Sequence, residues 1–184
     1  MTTLPADMEP AVFLTGIIAA VLLTGAPMLT SRRAILLAQL GASLSFATHY
    51  ALLGIEAASA ANVLGTVQTV VALFTARSAA MNRLGFGLIC LMMLAGVVLW
   101  QGPISALSVA ATALLALGRM QRNDVHLRLL LLAGGAVWIA HDLVAAAWIP
   151  LLADIGAILT GVVALGAMFV SVSWRPRASM GLPA

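Results

Sequence analysis

Lysine is absent from this sequence, cysteine occurs once, and charge of either sign is scarce, at 8% of 184 residues. A soluble domain usually carries about 25% charged residues. So few charges could not clothe the surface of a water-soluble globule. The lone Cys90 lies in an apolar run and excludes an internal disulfide or a cysteine-rich metal site. None of Asn62, Asn82 and Asn123 sits in an N-x-S/T sequon, so nothing points to a glycosylated surface. HExxH, GxSxG, a phosphate-cradling glycine loop and a cysteine pair are all missing. The chain is therefore expected not to be an enzyme and to need no cofactor or metal. A net charge of +3 and a pI of about 10.5 would suit nucleic acid. However, the nine basic residues are all arginines, scattered as singles and pairs between apolar stretches, which excludes that partner.

What the sequence has in abundance is apolar length. Hydrophobic residues make up 62% of it, and no polar stretch is long enough for a separate soluble domain. Lipid must be the main solvent. A helix needs about 20 apolar residues to cross the roughly 30 Å hydrocarbon core. The first candidate runs from about Ala11 to Met28; Asp7 and Glu9 precede it where a signal peptide would want basic residues. Residues 34–76 are too long for one span and must fold back at Gly54-Ile55-Glu56, giving spans of about 34–53 and 57–76. The run from Leu84 to Gly118 divides at Gln101-Gly102-Pro103, where Pro103 suits a first helical turn. The run from Leu129 to Trp174 divides near Ala147 to Pro150, because Pro150 cannot donate inside a helix. Seven helices result, and the expected fold class is all-α, a polytopic membrane protein.

Charge tests that count independently. With seven spans, Arg32, Arg33, Arg77, Arg83, Arg119, Arg122, Arg128, Arg175 and Arg177 all fall on one side. Asp7, Glu9 and Glu56 fall on the other. Positively charged loops stay cytoplasmic, so the N-terminus is expected outside and the C-terminus inside.

A shift of 92 positions aligns the chain with itself. Phe46-Ala47-Thr48-His49 falls on Trp138-Ile139-Ala140-His141, Asn62 on Asp154, and Val70-Val71-Ala72-Leu73 on Val162-Val163-Ala164-Leu165. The expected organisation is one membrane domain, 1–184, with repeat 1 at 11–76, a linker helix at 84–100, repeat 2 at 103–173 and a cytoplasmic tail at 174–184. One intervening helix makes the two triplets run in the same direction, as in parallel-repeat transporters. Small residues also recur, with Ala61, Gly65 and Thr69 matched by Ala153, Ala157 and Gly161. Close packing within each triplet accounts for them.

The polar residues of the repeat form the candidate site. His49 and Asn62 flank one turn at similar depth, and His141 and Asp154 flank the other. Each histidine is expected to face its amide or acid, while the neighbouring Tyr50 and Asp142 point about 100° away. An ionisable side chain inside a bilayer costs about 2.5–3.5 kcal/mol and is a functional hypothesis by default. The substrate-binding candidates are His49, Asn62, Trp138, His141 and Asp154, with Gln39, Ser45 and Gln68 on the same cavity or satisfying backbone groups. The plain alternative is that each polar pair pins its hairpin. Arg119, Arg122 and Arg128 are read as loop residues, with His126 solvated among them.

The loop Arg32-Arg33, the stretch Gln39–Phe74 with His49 and Asn62, and the segment Trp138–His141 resemble the YgjV-type family of bacterial inner-membrane proteins, over roughly residues 11–170. Family members commonly carry Asn after the second histidine, where this chain has Asp142. The resemblance implies a seat in the bacterial inner membrane and a fold rather than a chemistry. More loosely, the plan is similar to SWEET-like and vitamin-carrier (PnuC-like) proteins, which use Asn on the third helix of each bundle; Asn62 and Asp154 occupy comparable places, without the SWEET proline motifs. The expected partners are the lipid bilayer and a small-molecule substrate or proton, with a homo-oligomer left open. Two functional readings follow, a small-solute or proton-coupled transporter and a non-transporting membrane scaffold.

Overall fold

The computed structural model describes residues 10–54, 56–75, 78–98, 100, 102–145 and 148–173. Seven helices occupy them: α1 (Pro10–Gly25), α2 (Arg32–Leu52), α3 (Glu56–Phe74), α4 (Ala79–Val98), α5 (Pro103–Met120), α6 (Asp124–Ala145) and α7 (Trp148–Ser173). Six are long and apolar enough to cross a membrane, and α3 adds a shorter apolar stretch, Ser59–Phe74. The chain is an all-α polytopic membrane protein.

Local chemistry sets most boundaries. Pro27 cannot continue the hydrogen-bond ladder of α1, which ends in a 3-10 turn at Ala26–Met28. Ser31 caps α2 by accepting from the Ala34 N–H at 3.2 Å. Gly54 (φ 71°) and Gly102 (φ 115°) supply the positive-φ corners before α3 and α5. Asn123 caps α6, its side-chain oxygen accepting from the Val125 and His126 N–H groups.

The sequence expectations need correction at four helix ends. Pro150 lies in the first turn of α7, where its missing N–H is one the helix would leave unpaired anyway. Helices α4 and α6 each begin five residues before their apolar runs, so Arg83 and Arg128 are helical rather than loop residues. Arg119 is also helical, in the last turn of α5. The expected tail, 174–184, lies outside the described residues.

The triplets pack as α1–α2–α3 and α5–α6–α7. Each is joined to the other twice, α1 against α7 and α3 against α5, while α4 lies against α3 and α5. Apolar side chains cover the outside: Val98, Val144 and Leu152 are about seven-tenths exposed. The inside holds Gln39, His49, Gln68, Arg119, Arg128 and Asp142, all buried. This inversion suits a protein whose solvent is hydrocarbon.

Candidate functional site

Three polar groups lie between the triplets. The first joins α2, α3 and α5. Arg119, 7% exposed, donates from Nε to Gln39 Oε1 at 3.0 Å and from a terminal nitrogen to Gln68 Oε1 at 3.3 Å. Gln68 in turn donates to the Ala116 carbonyl at 3.1 Å. Neutral amide oxygens thus satisfy donors that would be costly to bury bare.

The second group is a pair of crossed arginine contacts at the arginine-bearing end. Arg32, at the start of α2, donates to the carbonyls of Arg119 (2.8 Å) and Gln121 (2.7 Å), where α5 ends. It also reaches the Ala72 carbonyl at 3.0 Å. Arg128 on α6 donates to the carbonyls of Pro27 and Leu29, where α1 ends, the second at 2.6 Å. The last carbonyls of a helix have no partner within it and carry its negative dipole end, so a guanidinium fork both pairs and neutralises them. Each arginine ties the second helix of one triplet to the first helix of the other.

The third group lies towards the opposite end. Asp142, 2% exposed on α6, has Oδ1 3.0 Å from His141 Nδ1. Its Oδ2 is buried and meets no N–H or O–H donor among the described residues. Asp154 on α7 lies within electrostatic reach of Asp142. Tyr50 on α2 lies within electrostatic reach of both acids and packs against the Ala19–Phe46–Ala153 cluster. Trp138 meets His141 edge-on, with ring centroids 4.9 Å apart.

A cavity of about 50 Å³ links the second and third groups. Its wall includes Asp154, Ala157 and Gly161 of α7, Arg128 of α6 and Gln39 of α2. From Asp154 to Gly161 it follows α7 for about 10 Å, at 1.5 Å per residue. Such a space holds a few waters in file rather than a sugar-sized molecule. Arg128 Nε is buried on this wall and meets no hydrogen-bond partner among the described residues.

The structure redistributes the sequence candidates. Trp138 and His141 come together, the direct partner of His141 is Asp142, and Asp154 lines the cavity. His49 is buried with Nδ1 2.9 Å from the Val12 carbonyl of α1, so that nitrogen is engaged outside its own hairpin. Asn62 sits half-buried on α3. Gln39 lines the cavity, Gln68 is buried beside Arg119, and Ser45 is half-buried. His126 is exposed. Arg32, Arg119 and Arg128 escaped a reading that counted arginines as loop charge. Asn123 carried a usable signal, since Asn before an apolar run marks a helix start and would have drawn Arg128 into α6.

The sequence model of one family, described as bacterial inner membrane protein, matches residues 12–169. The chain belongs to the Imp-YgjV family. The match runs through all seven helices and so includes the arginine contacts, the cavity and both Asp142 and Asp154. No curated protein and no solved structure matches the chain. Membership of the Imp-YgjV family establishes a bacterial inner membrane protein and leaves its activity to be argued from the site.

Proposed function

We propose that the protein is a small-solute or proton-coupled transporter whose path runs between two parallel repeats. The cavity bounded by Asp154 towards one end and Arg128 towards the other is the observation that carries this reading. Intramembrane charges facing a shared internal space mark solute and ion pathways far more often than lipid-facing packing.

The repeat gains support from the crossed arginines. Their acceptors, Pro27 and Leu29 on one side and Arg119 and Gln121 on the other, stand 92 positions apart in each case. The packing partners also exchange consistently, since α1 against α7 becomes α5 against α3 when the triplets are swapped. In this reading the arginine end faces the cytoplasm, as positively charged loops do. The crossed contacts hold the path shut on that side, and releasing them opens it.

The competing scaffold reading treats the same polar groups as pins between helices. A thermal-shift screen of purified protein against a metabolite library separates the two. Transport predicts at least one solute that stabilises the wild type and fails to stabilise Asp154→Asn. A scaffold predicts no stabilising solute and an equal loss of stability on either Asp154→Asn or Asp154→Ala.

A further inference from the structure

We propose that Arg128 and Gln39 form a binding site for one small monovalent anion, of halide size, on the wall of the internal cavity. Such a site gives the transport reading a solute class, and rests on that reading only for the anion's passage.

The donors come from two helices. Arg128 is 6% exposed, and its two terminal nitrogens are engaged by the Pro27 and Leu29 carbonyls. Its Nε–H meets no partner among the described residues. Arg32 and Arg119 differ on this point, because they donate from Nε to the Gln121 carbonyl and to Gln39 Oε1. The Arg119 contact also fixes how the Gln39 amide is turned. A guanidinium can only donate, so the oxygen of Gln39 faces Arg119 and its NH2 is left to donate elsewhere. Gln39, likewise 6% exposed, lines the same cavity as Arg128. One wall thus carries an N–H of a cation and an N–H of an amide polarised by a second cation. Both require an acceptor.

Charge favours an anion over water alone. The acceptors of Arg128 are neutral carbonyls, which pair its N–H groups without cancelling its charge. The one ion pair among the described residues joins His141 to Asp142, so no carboxylate there lies at ion-pair distance from Arg32, Arg119 or Arg128. Asp124, one turn before Arg128 on α6, is no exception. Asp154 bounds the other end of the cavity. The Arg128 fork holds Pro27, which packs beside Gly161, about 10 Å along α7 from Asp154. An anion on the guanidinium therefore lies nearer the cation than the acid, and attraction prevails. Size and desolvation narrow the class further. A cavity of about 50 Å³ takes the volume of a few waters, which suits a halide and excludes a carboxylated metabolite. The weakly hydrated guanidinium suits such a buried partner better than an ammonium would.

The test titrates purified protein in detergent with sodium chloride replacing sodium gluconate at constant ionic strength, and follows the melting temperature. The wild type should show a saturable rise, about 3–6 °C at a tenfold excess of chloride over its dissociation constant. Gln39→Glu keeps an acceptor for Arg119 but replaces the donating NH2 with a second oxygen. It should fold and lose the rise. Arg128→Lys keeps the charge without the Nε–H and should raise the chloride midpoint about tenfold, as loss of one charge-assisted hydrogen bond implies. No rise in the wild type, a rise that climbs without saturating, or a wild-type midpoint in either variant overturns the proposal. Chloride that binds as expected but does not cross proteoliposomes leaves the site standing and removes its transport. A metabolite that stabilises the wild type and not Asp154→Asn, with no chloride effect, removes the site and leaves transport standing.

Discussion

Gln68 and Thr160 stand 92 positions apart and make the same contact on opposite sides of the bundle. Gln68 of α3 donates to the Ala116 carbonyl of α5, and Thr160 of α7 donates to the Thr24 carbonyl of α1 at 2.7 Å. The two acceptors, Thr24 and Ala116, are themselves 92 positions apart. Side chains of different chemistry thus serve one structural position, as divergence within a duplicated unit would leave them.

Thr160→Val removes one interhelical hydrogen bond and should destabilise the protein in detergent by about 0.6 kcal/mol, the average for such bonds between membrane helices. Gln68→Leu should cost more, about 1–3 kcal/mol, because it also strips an acceptor from buried Arg119. Equilibrium unfolding in mixed micelles measures both. Equal losses would count against the linked Gln39–Arg119–Gln68 network.

The crossed arginines should respond as a pair. Arg128→Ala leaves the Pro27 and Leu29 carbonyls without their donor, and Arg32→Ala does the same at Arg119 and Gln121. Each should cost about 1.5–3 kcal/mol, the range for hydrogen bonds to a charged group. Arg128→Lys should recover only part, since a point charge lacks the planar fork that reaches two carbonyls. A cysteine placed at Ala157, in a Cys90→Ser background, should react faster with thiol reagents added from the arginine end once either arginine is removed. An unchanged rate would refute the idea that these contacts close the path.

Gly16 tests the seat of His49. A Cβ there would stand 3.0 Å from His49 Cε1 and 3.1 Å from Nδ1, so the ring, held on the Val12 carbonyl, must give by a few tenths of an ångström. Gly16→Ala should destabilise by about 1–3 kcal/mol, as overpacking does. At Gly87 a Cβ meets nothing within 4 Å, and Gly87→Ala should leave the melting temperature level or slightly raised. Matching effects at the two glycines would show that the His49 contact adds nothing.

Much of the fold was legible in the sequence because lipid imposes simple rules. Apolar length, Gly54 and Gly102 at corners, and Pro103 at a first turn gave helices close to those observed. Pro150 was misplaced because a proline tolerated in a first turn and one in a loop look alike in a linear reading. Arg119 and Arg128 were assigned to a loop on charge alone, although carbonyl and amide acceptors elsewhere in the bundle let them stay helical and buried. The buried acids were half legible. Asp154 was marked by its depth, but Asp142 was turned aside by its angle to His141. Its burial inside the bundle is a tertiary fact.

Proteoliposomes test the central claim most directly. Vesicles should be exposed to a mixture of small metabolites under an imposed pH gradient and their contents read by mass spectrometry. The account predicts that wild-type vesicles accumulate at least one small solute, and that Asp154→Asn vesicles, with equal amounts of folded protein, do not. Accumulation that is equal in the two, or absent from the wild type with the gradient in either direction, would contradict it.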